Sequence, residues 1–283
     1  MKEITAKTKL AGILGNPVSH SLSPRLHGYL AEKAGFDMAY LAFQIEEAGQ
    51  LGSVLAGAKH MGFLGFNVTA PYKIDVLSFI DEIDEDAKQL GNVNTLVNRA
   101  GKWIGSNTDG IGFMRSLKRK GVSAEGKHIL LFGTGGTART LSYKFAQGGA
   151  ASITIVSRKE NPLEEIGQLT KNFAGTELKT GLDVSCQYDI CVNCTPLGMG
   201  AHKDKSPIPA NFPYHKNMLC CDLIYNPTKT LYLEEAERAG AMTMNGLGML
   251  LYQGVYAFER FTGETVSEEI CDGLFRHFES DNK

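Results

Sequence analysis

His128-Ile129-Leu130-Leu131-Phe132-Gly133-Thr134-Gly135-Gly136-Thr137-Ala138 decides the fold. Its first five residues read as a short buried strand, and the glycines after them mark a sharp turn. Gly133-x-Gly135-x-x-Ala138 fits the G-x-G-x-x-G/A fingerprint in the context it requires, after a strand and opening a helix. The first glycine permits the turn, the second lets the backbone approach a pyrophosphate, and small Ala138 lets helix and strand pack closely. The helix start then offers free N–H groups and its positive dipole end to phosphate. A dinucleotide-binding α/β unit is the expectation.

Downstream the pattern continues as helix 136–147, strand 152–156, helix 162–173, strands 190–193 and 219–223, and closing helices 247–261 and 266–278. The end of strand 152–156 selects the cofactor, because NAD enzymes place an acidic residue there for the ribose 2′-hydroxyl. Here Ser157-Arg158-Lys159 follows, a hydroxyl and two cations suited to the 2′-phosphate of NADP. Glu160 keeps NAD open as an alternative.

Upstream, strand 9–14 ends at Gly15-Asn16-Pro17, and Ser23-Pro24 opens a helix to residue 34 with Ser23 as cap. Strand 39–45, helix 47–59 and strand 62–68 follow. Strands 93–99 and 102–105, joined by Ala100-Gly101, form a hairpin, and a helix spans 112–120. Strands alternating with helices predict an α/β domain with a largely parallel sheet. The acidic stretch 81–86 reads as a solvated helical face, and His20 as a buried histidine holding its loop.

Composition narrows the functional classes. The 283 residues suit two domains, and a net charge of −2 gives no pull toward nucleic acid or anionic membrane. No apolar run spans a bilayer and no secretory h-region opens the chain, so the expected location is cytoplasmic. Six cysteines do not make a disulfide framework in a chain this long. The one CxxC, Cys191 and Cys194, falls at the end of a buried strand, where residues three apart face opposite sides, and no metal site is expected.

Four N-terminal segments need a common explanation: Gly15 to His27, Asn67-Val68-Thr69-Ala70-Pro71-Tyr72-Lys73, Asn92-Val93-Asn94-Thr95 and Asn107-Thr108-Asp109-Gly110. Each is placed at the end of a strand or in the loop after it, where open α/β sheets bind ligands. The hydroxyls, amides, one Lys and one Asp they collect suit a small polyhydroxylated acid.

With these segments, the Gly133 loop, Asn193-x-Thr195-Pro196-Leu197-Gly198-Met199, Asp222 to Pro227, and Asn245-Gly246-Leu247-Gly248-Met249 followed by Gln253-Gly254, the chain closely resembles the shikimate dehydrogenase family. The resemblance implies an N-terminal α/β substrate domain (1–110), a Rossmann-like NADP-binding domain (111–245) and C-terminal helices (246–283) that return to the substrate domain. It implies NADPH-dependent interconversion of 3-dehydroshikimate and shikimate, with that small molecule as partner and neither nucleic acid nor membrane; a homodimer stays open, because the sequence does not give the oligomeric state. By matching position, Ser21 and Ser23, helped by Tyr225, would hold the substrate carboxylate. Thr69, Asn94 and Gln253 would bind ring hydroxyls, and Lys73 and Asp109 would be the catalytic pair. Gly133, Thr134, Gly135, Gly136, Thr137, Ser157, Arg158, Lys159, Thr195, Leu223 and Gly246 would line the cofactor site. Gly28, Asn92 and Phe261 depart from the family pattern of Asn, Ala and Trp. Two other readings stay open: a quinate/shikimate dehydrogenase using NAD, and a ligand sensor without turnover, which the presence of both Lys73 and Asp109 argues against.

Overall fold

The computed structural model describes residues 3–158, 163–209 and 211–279. The chain forms two units, Met1–Gly112 with Leu251–Lys283, and Phe113–Leu250.

The first unit holds β1 (Lys9–Gly15), α1 (Ser23–Lys33), β2 (Met38–Gln44), α2 (Leu51–His60), β3 (Gly65–Val68), β4 (Glu82–Ile83), α3 (Glu85–Leu90), β5 (Thr95–Arg99), β6 (Lys102–Ser106) and the start of α4 (Asp109–Arg119). Its sheet runs β2-β1-β3-β5-β6-β4. The sheet is largely parallel, as expected, with one reversed strand: β1 is parallel to β2 and β3, whereas β5 is antiparallel to both β3 and β6. Between β5 and β6 the reversal is made by the Ala100-Gly101 turn, with φ of 50° and 80°. A two-residue turn with positive φ at both positions sends the chain straight back beside itself. The reversal has a functional consequence. The carboxyl ends of β1, β3 and β6 now share one sheet edge with the amino end of β5.

Side chains of β1 alternate as a strand requires. Leu14 joins Leu55, Phe66 and Trp103 on one face, while Ala11 and Ile13 join Tyr40, Ala257 and Phe261 on the other. The Trp103 indole N–H donates to the Leu55 carbonyl at 3.0 Å, so this ring is fixed as well as buried.

Several expected boundaries move. Leu22, not Ser23, is the N-cap of α1, and Ser23 lies inside the first turn with Pro24. The helix expected at 47–59 is a 3-10 turn, Ala48–Gln50, followed by α2. Gly62 has φ of 75°, so β3 starts only at Gly65. The acidic stretch is not one helical face: Glu82–Ile83 is a strand, and Asp84 caps α3 by accepting from Ala87 N at 2.8 Å.

The second unit holds β7 (His128–Phe132), α5 (Gly136–Gln147), β8 (Ser152–Val156), α6 (Leu163–Thr170), β9 (Glu177–Thr180), β10 (Ile190–Asn193), β11 (Leu219–Asp222), α7 (Leu231–Arg238) and β12 (Met242–Met244). All six strands are parallel, in the order β12-β11-β10-β7-β8-β9. Both faces are covered, Ile129 and Leu131 packing into one cluster and Leu130 and Phe132 into the other. Strand order reverses at β7, so its carboxyl end is the switch point where such sheets bind ligands. Cys191 and Cys194 pack into those same two opposed clusters as free thiols. Two helices close the chain, α8 (Leu247–Thr262) and α9 (Glu268–Glu279). Among the described residues no helix is long and apolar enough to cross a membrane.

Candidate functional site

The shared edge of the first sheet is where the sequence-predicted residues meet. A Cβ added to Gly15 would lie 2.3 Å from the Thr69 methyl, so glycine there lets the residue after β3 lie against the end of β1. The Thr69 N–H donates to the Leu14 carbonyl at 2.9 Å. The Lys73 carbonyl accepts from Val93 N at 2.8 Å, and Asn94 N donates to the Ser106 carbonyl at 3.1 Å. These main-chain bonds bring Thr69, Lys73, Asn94 and Asp109 to one place.

There the Lys73 ammonium donates to Asp109 Oδ2 at 2.7 Å, and the Asn94 amide donates to Asp109 Oδ1 at 2.8 Å. Their side chains keep 31% and 14% of their surface accessible, enough for Lys73 to meet a ligand while paired. Asp109 opens α4, a correction to the loop position expected from sequence. Its N–H donates to Asn107 Oδ1 at 3.0 Å. Asn107 in turn donates to Asn92 Oδ1, so the departure at Asn92 is a buried polar support for the Asp109 turn. Phe261 lies fully buried 5.6 Å from the His27 ring. Gly28 has open space around it, and nothing in the structure explains its identity.

Ser21 and Ser23 differ in setting. Ser21 is half-buried and accepts from the Ser23 N–H at 3.2 Å, whereas Ser23 is buried. His20 is exposed, contrary to expectation. The buried histidine is His27, stacked on Tyr40 with centroids 4.1 Å apart. Burial drives its imidazole pKa down to about 3, partly opposed by its bond to Asn67. Gln253 is half-buried on α8 in this same unit.

In the second unit Gly133 has φ of 105°, a conformation that favours glycine, and its N–H donates to the Val156 carbonyl at 2.9 Å. A Cβ there would press on Thr195 and the Cys194 carbonyl. Gly135 is the N-cap of α5 with no side-chain cap bond, and a Cβ on Gly135 or Gly136 would meet open space. The first N–H groups of α5 are therefore left for an incoming phosphate, and the loop fits a dinucleotide. Thr137 follows in the first turn, and Ala138 is buried beneath it. Thr134 and Ser157 hydroxyls lie 3.3 Å apart, and Arg158 is exposed at the end of β8. Lys159 and Glu160 lie outside the described residues.

Thr195, Leu223, Tyr225 and Gly246 also belong to this unit. A Cβ on Gly246 would fall 2.0 Å from the Leu223 carbonyl, so only glycine permits that approach. Burial raises the Tyr225 phenol above its usual range. Beneath them is a network that the sequence reading left without a role. Asn193 accepts from Thr195 N at 3.0 Å and donates to the Leu197 carbonyl and to Asp222. Asp222 accepts from Thr230 Oγ1 at 2.7 Å and from Ile224 N at 3.0 Å, and burial raises its carboxyl pKa. The available signal was an Asn and an Asp each ending an apolar strand.

A Lys–Asp–Asn constellation in one α/β unit and an open glycine loop at the switch point of the other define a dinucleotide-linked dehydrogenase architecture. Comparison with known proteins narrows the class. The model for the shikimate dehydrogenase substrate binding domain matches residues 13–96, and that for the shikimate 5'-dehydrogenase C-terminal domain matches residues 246–271. Shikimate dehydrogenase (NADP(+)) of Methanocaldococcus jannaschii is 41% identical over 271 residues, 94% of this chain and 96% of that protein. Shikimate 5-dehydrogenase from Listeria monocytogenes, solved with shikimate and NAD, superposes with a TM-score of 0.88 at 32% identity, covering 97% of this chain and 99% of that one. A ligand-free 5-ketofructose reductase of Gluconobacter gives 0.87 at 32% identity, covering 97% and 100%. The chain belongs to the shikimate dehydrogenase family.

Proposed function

We propose that this protein catalyses the reversible NADPH-dependent reduction of 3-dehydroshikimate to shikimate, in the pathway that leads through chorismate to the aromatic amino acids. The observation that carries the reading is the Asp109 carboxylate held by Lys73 on one oxygen and by Asn94 on the other. NADPH, when bound, supplies the hydride, while the protein supplies position and the proton. An ammonium has three hydrogens. One of those on Lys73 is given to Asp109, which leaves others for the carbonyl oxygen that becomes the hydroxyl. Asp109 accepts from a neighbouring substrate hydroxyl and keeps the ammonium aimed. Ser21, Ser23 and Tyr225 take the carboxylate, and Thr69, Asn94 and Gln253 the ring hydroxyls.

The cofactor is assigned to Gly133, Thr134, Gly135, Gly136 and Thr137 for the pyrophosphate, to Ser157, Arg158 and Lys159 for the 2′-phosphate, and to Thr195, Leu223 and Gly246 for the remainder. The substrate domain is assigned to 1–110, the NADP domain to 111–245, and 246–283 to helices returning to the substrate domain. Six free thiols suit a reducing compartment, and we place the protein in the cytoplasm. The test is to follow the near-ultraviolet absorbance of reduced nicotinamide with shikimate and quinate, each crossed with NADP and NAD. Turnover of shikimate with NADP is expected to exceed the other three combinations. No turnover with shikimate would refute the assignment. A second reading, broader specificity with NAD, draws on the Listeria relative solved with NAD, and equal rates across the four pairs would favour it.

A further inference from the structure

Behind the Lys73–Asp109 pair lies a set of buried polar side chains that touch no proposed substrate atom: His27, Asn67, Thr95 and Thr108. Two main-chain groups settle which way their hydrogens point. The Thr108 N–H lies 2.8 Å from one end of the Asn94 amide, so that end is the oxygen. The Asn94 carbonyl lies 3.2 Å from one end of the Asn67 amide, so that end is the nitrogen. The rest follows from donors and acceptors alone.

Asn67 Oδ1 accepts from the Tyr40 hydroxyl at 2.7 Å and from His27 Nε2 at 3.2 Å. Asn67 Nδ2 donates its second hydrogen to Thr95 Oγ1 at 3.1 Å. Having accepted, Thr95 gives its own hydrogen to Asn94 Oδ1 at 2.9 Å, closer than the Thr108 hydroxyl at 3.2 Å. The Thr108 hydroxyl adds a contact of 3.2 Å to the same oxygen. With that oxygen fully occupied, the Asn94 nitrogen faces Asp109 Oδ1. An amide turned the other way would set its oxygen against a carboxylate.

We propose that Thr95 is a positioning residue for the dehydrogenase reaction assigned above, on which this proposal rests. Its hydroxyl passes the orientation of the Tyr40–Asn67 chain to Asn94, and through Asn94 to Asp109. Buried networks of this kind specify orientation because each misdirected group loses its partner. Thr95 itself contacts no reacting atom.

Two substitutions separate hydroxyl from packing. Thr95→Val keeps the shape and removes the hydroxyl, whereas Thr95→Ser keeps the hydroxyl and removes a buried methyl. We expect Thr95→Val to lower kcat about tenfold, one neutral hydrogen bond with its stranded partners, while Thr95→Ser stays within about twofold. NADP affinity, read by fluorescence titration, should be unchanged in both. If Thr95→Ser is the more impaired variant, or Thr95→Val turns over at the wild-type rate, the residue only packs and the proposal is overturned. Exchange of the Asn94 side-chain amide hydrogens, followed by NMR, gives a readout that does not depend on the substrate. It should quicken in Thr95→Val and not in Thr95→Ser; equal exchange in both overturns the relay. Absence of shikimate turnover by the wild type would refute the assigned reaction and leave this exchange experiment intact.

Discussion

Replacing His27 by Phe should change how stability depends on pH, by an amount the structure sets. His27 is 1% exposed, stacked on Tyr40 and flanked by Phe258 and Phe261. Burial lowers its pKa from 6.5 to about 3, so the folded protein holds it neutral across the working range. In the unfolded chain the imidazole takes up a proton below pH 6.5. Between the two values the unfolded state binds one more proton, so stability falls with falling pH by about 1.4 kcal/mol per unit. At pH 5 the loss is about 2 kcal/mol. His27→Phe carries no such group. At pH 7 the variant should be less stable by about 1 kcal/mol, the net value of the lost bond to Asn67. The two curves should therefore cross between pH 7 and 5, with the variant the more stable at the acid end. Other titrating groups are common to both proteins and cancel in the difference. The assay is urea unfolding followed by tryptophan fluorescence. Trp103 is the chain's single tryptophan and lies buried in the unit that holds His27, so its emission reports that unit. Parallel stability curves over this range would show that His27 is not held neutral, and the argument would fail.

Lys73→Ala should lower kcat about a hundredfold or more with a smaller change in KM, as expected of a positioned proton donor; a large rise in KM at unchanged kcat would make Lys73 a binding residue only. Arg158→Ala should weaken NADP about tenfold to a hundredfold in a binding titration and leave NAD unaltered, because only the 2′-phosphate distinguishes them. A loss shared equally by the two cofactors would remove Arg158 from that role. Shikimate should be oxidised about tenfold or more better than quinate, whose extra hydroxyl at C1 needs its own partner. Ser21→Ala should raise KM for shikimate and narrow that gap, and comparable kcat/KM for both acids in the wild type would rule out exclusion by this serine.

The second unit was more legible in sequence than the first, for a physical reason. Strands buried on both faces read as unbroken apolar runs, so β7, β8 and β10 stand out and the glycine loop locates itself. Strand β9, Glu177–Thr180, is polar and mostly exposed at the sheet edge, and carries no such signal. In the first unit the Ala100-Gly101 hairpin is visible in the sequence, but nothing in it says that β5 pairs antiparallel with β3. The start of α4 was placed late because Gly110 and Gly112 are poor helix formers, and the Asn107 side chain holding Asp109 N overrides that preference. The two histidines were distinguishable. Ser23, Leu26, His27, Leu30 and Ala31 form the buried stripe of α1, with helical spacing, and His20 precedes it.

The placement of polarity in the first unit argues that its site is built for orientation over stability. A half-exposed ion pair such as Lys73–Asp109 contributes little to folding. The buried Asn67, Asn94, Thr95 and Thr108 must each find partners, and exchanging a hydrogen-bonded pair for apolar groups of the same shape can be nearly neutral or stabilising. On other surfaces the same sheet fills its space with Phe66, Trp103, Leu55 and Leu14, so apolar packing was open to this fold. The polar groups instead lie on the one edge where β1, β3, β5 and β6 bring four sequence segments together. They form a chain in which each amide has a single permitted orientation, ending on Asp109 Oδ1, while Lys73 holds Oδ2. A carboxylate fixed on both oxygens cannot rotate to follow its ligand, so the ligand must fit the carboxylate. With Asp109 accepting from a substrate hydroxyl, as proposed, that requirement puts substrate selection in the rigid edge of this sheet.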